Sequence, residues 1–492
     1  MSNTLSRRQA LRGATASVLV AGWSISTQSW AVAGTTDPDL VELPSLDGTL
    51  ETEAVSGFGH DFGRMVDSDP WAVLRPGSVD DIVKMIDYAR SNGLHIAMNG
   101  RSGTGDDLES HSSFGQALVP GGISIDARGL SRIISIDSDS AVVEPGVTWA
   151  TLTEAALEVG ATPPALTDYL HLSIGGTLSI GGVGSTVHRY GFQVDTVTSV
   201  DVVTGEGELV TASPTQSSDL FEAVLSGGGQ CGVIVRATVD LVPAPDEVLV
   251  CSLVYDDLDV YMADQEKALE EGRFDAQAGE AGPSPDGSGW VYKLEGIAFH
   301  PAGSPPDQDE LLSGFNDDRS SAEIVGMPYR DYAFRLDAFE SELKEGGFWT
   351  QPKPWLSMFM PASSTKQFLE EALADLTQDD LGAGFLLCYP YHTGKSTRPL
   401  VMQPGEPVGY LFDLLRFPAP DGPDSGRMLE QNRRLHDRGV ELGGKRYLVG
   451  AVPEMTVEDW QEHFGNRWTT FREQKERHDP DGILTPGQAF FG

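Results

Sequence analysis

The stretch from Thr167 to Ser185 constrains this chain most, because it places glycine at 175, 176, 181, 182 and 184 among the hydroxyls of Ser173, Thr177, Ser179 and Ser185. Without a Cβ, such backbone lets amides approach an anionic group closely, and the hydroxyls add donors. The run is suited to cradling a pyrophosphate, yet it is neither a GxGxxG dinucleotide fingerprint nor a Walker loop. On spacing alone, a tight-turn region without a ligand fits it equally well.

Asp168 heads this run between Thr167 and Tyr169, with Leu170 and Leu172 close behind. Apolar and aromatic surroundings desolvate a carboxylate and make it a better proton acceptor. A turn or cap aspartate is the plainer reading of the same residue. His111, within Ser110 to Gln116, is a second isolated candidate whose plainer reading is a loop or core histidine.

The flanking pattern is mixed α+β. Trp71 to Pro76 reads as a strand, and Ser78 to Asp81 as a capped start to a helix with Ile82, Val83, Ile86 and Ala89 on one face and Gly93 as its stop. Strands are expected at Leu94 to Met98, Gly122 to Ile125, Ile133 to Ile136 and Ala141 to Glu144, and a second amphipathic helix from about Trp149 to Val159. The β-branched runs Val200 to Val203 and Val233 to Val235, around the turn Thr204 to Gly207, predict a hairpin. A composition shift near Pro243-Ala244-Pro245, with a Gly/Ser/Pro-rich segment at Ala278 to Gly289, suggests a domain boundary. An aromatic-rich helix is expected over Trp460 to Phe471 before a proline-broken tail.

Charge narrows the function classes. Asp and Glu number 73 against 34 Lys and Arg, a formal charge of −39 that repels phosphate backbones and disfavours nucleic-acid binding. The three cysteines, Cys231, Cys251 and Cys388, are odd in number and widely spaced, which supports neither a disulfide scaffold nor a zinc site, and no metal site is expected. Ser6-Arg7-Arg8, an apolar run from Ala14 to Ile25 and Ala31-Val32-Ala33 together read as a twin-arginine export signal over residues 1–33. Its removal takes away three arginines and no acid, leaving −42. No other segment approaches the roughly 20 apolar residues of a membrane span. A periplasmic or extracellular protein is therefore expected.

The strings Thr162 to Gly191, Asp201 to Glu208 and Ser213 to Phe221 resemble the flavin domain of cytokinin dehydrogenases, members of the vanillyl-alcohol-oxidase-like flavoproteins. The resemblance returns in Pro354 to Pro361, Cys388-Tyr389-Pro390, Glu462 to Gly465 and Pro486-Gly487-Gln488, so it spans most of the chain beyond residue 33. It implies an α+β, two-domain PCMH-type FAD-binding fold with an inserted α+β substrate (cap) domain. The flavin domain would comprise residues 34–243 and 447–492, and the substrate domain residues 244–446.

The resemblance also implies roles. His111 would carry a covalent bond to FAD, with Ser112 and Gln116 nearby. Asp168, Ser173, Ser179, Val183, Ile234, Tyr447, Thr485 and Gln488 match further cofactor-contacting positions, alongside the cradle glycines Gly175 and Gly176. Asp168 matches the base that accepts the substrate amine proton. Glu295 matches a carboxylate at the pocket entrance, and Trp355, Ser357 and Tyr389 fall on the substrate pocket. The implied reaction oxidises the N6 side chain of a small-molecule N-alkyl adenine, with oxygen or a quinone as electron acceptor.

Two departures stand out. The family's Gly-x-Gly-His-Ser is here Ser110-His111-Ser112 preceded by an extra Gly103 to Glu109, and an alternative alignment over Asn99 to Gly103 loses the histidine. Gly115-Gln116-Ala117 and the strand from Gly121 to Asp126 follow His111 at the expected distance and favour it. Ser357 stands where a pocket asparagine is frequent. Two other readings remain: an FAD-dependent alcohol or sugar oxidase, for which Asp168 is dispensable, and a flavin- or ligand-binding protein without turnover.

Overall fold

The apolar stripe of the first helix finds its partner in a small sheet. In a computed structural model describing residues 20–32, 40–53, 55–105, 108–284, 287 and 289–492, the helix spans Val79–Asn92 and buries Ile82, Met85, Ile86 and Ala89. Ser78 Oγ caps its start, accepting from Asp81 N, and Gly93 ends it in the left-handed conformation (φ 62°). The helix links strand Ala72–Arg75 to Ile96–Asn99, and Ile123–Asp126 inserts between them with both pairings parallel. Thr49–Glu51 adds an antiparallel edge.

A second, antiparallel sheet has the order Leu209–Ala212, Val197–Val203, Val233–Asp240, Ser140–Val143, Ile133–Ile136. The hairpin expected between Val200 to Val203 and Val233 to Val235 is corrected here. The turn at Thr204 to Gly207 joins Val197–Val203 to Leu209–Ala212, and Val233–Asp240 pairs with the opposite edge of the same strand. Its hydrophobicity reflects that central place in the sheet rather than a turn partner.

The third sheet is antiparallel and eight-stranded, in the order Glu323–Pro328, Glu247–Tyr255, Trp290–His300, Ala276–Pro283, Phe385–His392, Val408–Leu415, Leu356–Pro361, Lys445–Arg446. The small residues of Ala276–Pro283, read from composition as part of a boundary, form an interior strand of this sheet. The aromatic-rich C-terminal helix is also corrected. It is broken into Val457–Phe464 and Trp468–His478, and Gly465 takes φ 49° at the break.

The sheets share a core. Trp149, Phe192, Phe221, Trp460 and Phe464 pack in one buried cluster with Phe359, Tyr389 and Tyr391 of the eight-stranded sheet. Each such side chain contributes roughly 1.5–3 kcal/mol by burial, so the space between the sheets is held in shape. The C-terminal segment returns to the first sheet, where Ile96 N donates to Ile483 O (2.9 Å) and Thr485 N to Ile96 O (3.0 Å). Asp479 fixes that return by accepting from Lys475 Nζ (2.5 Å) and from the amides of Ile483 and Leu484.

Residues 20–32 lie within the segment read as a leader. Val20–Ser24 pairs with Ser29–Val32 and with Leu40–Glu42, and Trp23 stacks on Trp71 with ring centroids 4.5 Å apart. The paired arginines Arg7 and Arg8 lie outside the described residues. Among the described residues no helix is long and apolar enough to cross a membrane.

Candidate active site

The Thr167 to Ser185 run lines a cavity of about 290 Å3 whose walls include residues of the second sheet and the eight-stranded sheet. Ser173 precedes the short helix Ile174–Leu178, whose Gly175 and Gly176 line the cavity with Ser179, Ile180 and Val183. Gly175 packs so tightly that a Cβ would lie 2.6 Å from Pro145 Cβ. Gly182 and Gly184 serve the chain instead. Cβ atoms there would meet Gln193 Oε1 at 2.0 Å and Leu166 O at 1.9 Å, so the ligand-free and cradle readings of the run each describe part of it.

A second glycine-rich loop, missed in the sequence, abuts the first, with Gly228 N donating to Ser179 O (2.8 Å). Gly228 and Gly229 line the cavity in positive-φ conformations, next to Ile234 at the start of its strand. The C-terminal return ties this loop down: Thr485 Oγ1 donates to Gly229 O (3.0 Å) and Gln230 Nε2 to Thr485 O (2.7 Å). Three consecutive glycines, Gly227 to Gly229, were the signal available in the sequence.

His111 stands in the cavity wall between Phe62 and Tyr169, with centroids 5.2 and 5.3 Å away. Burial pushes its pKa down to about 4, which keeps the imidazole neutral, and Nε2 has no hydrogen-bond partner. Ser112 and Gln116 line the same side. Ser112 Oγ (2.7 Å) and Gly115 N (2.6 Å) donate to Asp61 Oδ2, which holds the loop after His111. Gln116 Nε2 donates to Gly228 O (3.0 Å), while its Oε1 is buried without a partner. Ser102 and Glu109 pair with each other, and Thr104 Oγ1 donates to Oε1 of Glu340 (2.6 Å), which lines the cavity.

Asp168 also lines the cavity. Its expected apolar surroundings are replaced by an ion pair, with Arg335 Nη2 donating to Asp168 Oδ1 at 2.6 Å, and about a quarter of each side chain remains accessible. The Arg335 guanidinium lies 4.4 Å from the Tyr332 ring centroid. Burial opposes its charge, but Tyr332, Asp168 and Glu295 more than offset this and hold it protonated. Sequence reasoning missed Arg335, since nothing local links it to a residue 167 positions earlier.

The remaining candidates divide. Trp355 and Tyr389 line the cavity, and Tyr447, whose Oη accepts from Gly182 N (3.0 Å), lines it beside the cradle. Glu295 is outside the cavity lining and acts on Arg335 from behind, and burial raises its own pKa. Gln488 is also outside, bridging Arg446 Nη2 (3.1 Å) and Phe114 O. Ser357 is fully buried and turns its hydroxyl to Asp413, which is the group that lines the cavity.

Comparison with known proteins follows this geometry. Residues 292–491 match a family model described as cytokinin dehydrogenase 1, FAD and cytokinin binding, and residues 70–213 match one described as an FAD binding domain. Cytokinin dehydrogenase 9 of Oryza sativa subsp. japonica is 32% identical over 497 residues, covering 92% of each chain. The chain belongs to the cytokinin dehydrogenase family. Cytokinin dehydrogenase 4 of Arabidopsis thaliana is 30% identical over 92% of this chain and 94% of its own. An uncharacterized oxidoreductase in the fasciation locus of Rhodococcoides fascians is 36% identical over 90% of this chain and 99% of its own.

As a member of that family the chain is an FAD-dependent oxidoreductase of two-domain fold. The cavity fits the cofactor on its own terms: the two glycine loops give close backbone approach for a pyrophosphate, and the unpartnered His111 Nε2 and Gln116 Oε1 are polar groups beside them.

Proposed function

We propose that this oxidoreductase cleaves the N6 side chain of cytokinins or related N-alkyl adenines, and that Asp168 is its base. The observation that carries the reading is the Asp168 carboxylate, which lines the same cavity as the cradle and is held in place by Arg335. Asp168 takes the proton from the substrate amine as the adjacent carbon gives up a hydride. FAD, when bound, supplies the hydride acceptor at N5. The substrate thereby loses two electrons and two hydrogens to become an imine, and water then cleaves this to adenine and an aldehyde. Trp355, Phe417 and Leu415 exclude solvent from the reacting carbon, while Arg335 orients the base.

His111 is the proposed covalent anchor. A neutral imidazole with a free nitrogen is the form able to bond a flavin methyl carbon, and the two flanking rings restrict its orientation. The remaining FAD assignments follow the cavity lining, with residues 34–243 and 447–492 forming the flavin domain and residues 244–446 the substrate domain. Export through the twin-arginine pathway, suggested by Arg7 and Arg8, and oxygen or a quinone as acceptor complete the reading.

Anaerobic titration with isopentenyladenine tests it directly. The wild type should lose its visible flavin band, and Asp168→Asn should keep flavin while losing roughly 10²–10⁴-fold in rate. Full turnover by the asparagine variant would remove Asp168 from its role and favour an alcohol or sugar substrate. Colour retained in the acid-precipitated pellet supports the His111 bond, and its loss there would exclude covalent attachment.

A further inference from the structure

One wall of the cavity is mostly hydrocarbon. It is built from Phe385, Leu387 and Tyr389 on one strand and Leu411 and Leu415 on the next. Strand alternation sends residues 411, 413 and 415 to the same face, and the middle one is Asp413. It lies opposite Leu387 on one neighbouring strand and Ser357 on the other. Ser357 Oγ donates to Asp413 Oδ1 (2.5 Å), and no described residue hydrogen-bonds to Oδ2.

A carboxyl in such a wall is costly unless something satisfies it. Burial pushes Asp413 up to about 7 against the lowering effect of Ser357, with the charge of Asp168 adding to the rise, so near and below neutrality it can carry a proton and donate. Asp168 and Asp413 line the same cavity. A substrate amine that gives its proton to Asp168 therefore extends one of its two substituents along the Asp413 wall. A purine, with several ring nitrogens, needs several polar partners. A wall whose polar groups are the Asp413 carboxyl and the Tyr389 hydroxyl suits an alkyl arm carrying one hydroxyl.

We infer that Asp413, held by Ser357, is a specificity-determining residue that hydrogen-bonds a hydroxyl on the N6 side chain, so that hydroxylated arms are preferred over plain hydrocarbon ones. The inference rests on the proposed N-alkyl adenine substrate. A hydrocarbon arm leaves the Oδ2 group unsatisfied when it excludes water from the wall, whereas a hydroxyl satisfies it. Asparagine at position 413 still offers a donor and an acceptor, and leucine offers neither.

The test compares kcat/KM for isopentenyladenine and its terminally hydroxylated analogue in the wild type, Asp413→Asn and Asp413→Leu. Anaerobic bleaching of the flavin band in each verifies that the cofactor is bound and reducible. The wild type should favour the hydroxylated substrate about tenfold or more, Asp413→Asn should keep a preference of the same sign, and Asp413→Leu should abolish or reverse it. The change in Asp413→Leu should fall mainly on KM, because the contact is remote from the bond being broken. Equal use of the two substrates by the wild type, or an unchanged preference in Asp413→Leu, overturns the inference while leaving the substrate class intact. A wild-type flavin band that neither adenine bleaches overturns the proposed function, and this inference with it. If Asp413→Leu fails to bind flavin, the wild-type ratio still decides.

Discussion

Replacing Asp61 by asparagine should stabilise the protein at neutral pH and leave it almost unchanged in acid. Asp61 is fully buried, its Oδ2 accepts from Ser112 Oγ and Gly115 N, and its Oδ1 has no partner. Burial raises its pKa from 3.8 to about 6, although the bonds from Ser112 and Gly115 pull it down. Between those values the unfolded chain has already released its proton while the folded one retains it, so raising the pH favours unfolding. At about 1.4 kcal/mol per unit, the two-unit rise removes ~3 kcal/mol of stability by neutral pH. Asparagine keeps an acceptor for Ser112 and Gly115 and has no proton to lose. With the proposed flavin domain of about 250 residues as the unfolding unit, the gain over wild type at pH 7.5 corresponds to roughly 6–12 °C in melting temperature. The assay is the thermal melt of both proteins, flavin-loaded, from pH 4 to pH 7.5. A difference between them that does not change over that range would refute the reasoning. Asp61→Ala, by contrast, strands the Ser112 hydroxyl and the Gly115 amide at about 1–3 kcal/mol each, and should reduce the colour retained after acid precipitation because His111 is no longer held.

Gly229→Ala should cost roughly 1–3 kcal/mol and lower the visible absorbance per protein, since φ is 73° and the new Cβ would lie 2.8 Å from Thr485 Oγ1; an unaltered absorbance ratio would count against the second glycine loop as a cofactor site. Thr104→Val removes the bond to Glu340 and the one from Lys344 Nζ (3.0 Å), so KM should rise about fivefold for the ~1 kcal/mol lost, with kcat nearly constant in steady-state assays. Cys231, Cys251 and Cys388 are buried free thiols, and burial pushes each thiol pKa upward. Alkylating reagent should label none of them until denaturant is added, as followed by intact mass, and labelling of the native protein would contradict that burial.

Much of the site was legible because its signals are local. A glycine's freedom, the Ser78 cap and the Gly93 stop each act within a few residues, so the glycine-rich turn region, the first helix and its flanking strands followed from spacing. Where the reasoning erred, the deciding partner was distant. Val233–Asp240 carries the same apolar signal whether it closes a hairpin or fills the middle of a sheet, and only its pairing with Val197–Val203 and Ser140–Val143 distinguishes the two. Ala276–Pro283 reads as a linker by composition because its small residues fit close packing as well as they fit a loop: a Cβ on Gly279 would come within 2.4 Å of Tyr261 Oη.

By itself the sequence determined that the chain carries a close-approach backbone cradle, an acidic surface, and histidine and aspartate candidates at His111 and Asp168. These are properties of residue type and near-neighbour spacing. Only the tertiary structure decided what surrounds them. It joined Arg335 to Asp168, turned Ser357 from the cavity toward Asp413, set Gly228 and Gly229 against the cradle, and drew Thr485 back to the first sheet. Those meetings depend on strand register and on which faces are buried together, quantities summed over the whole chain, and the chemistry of the cavity arises from them.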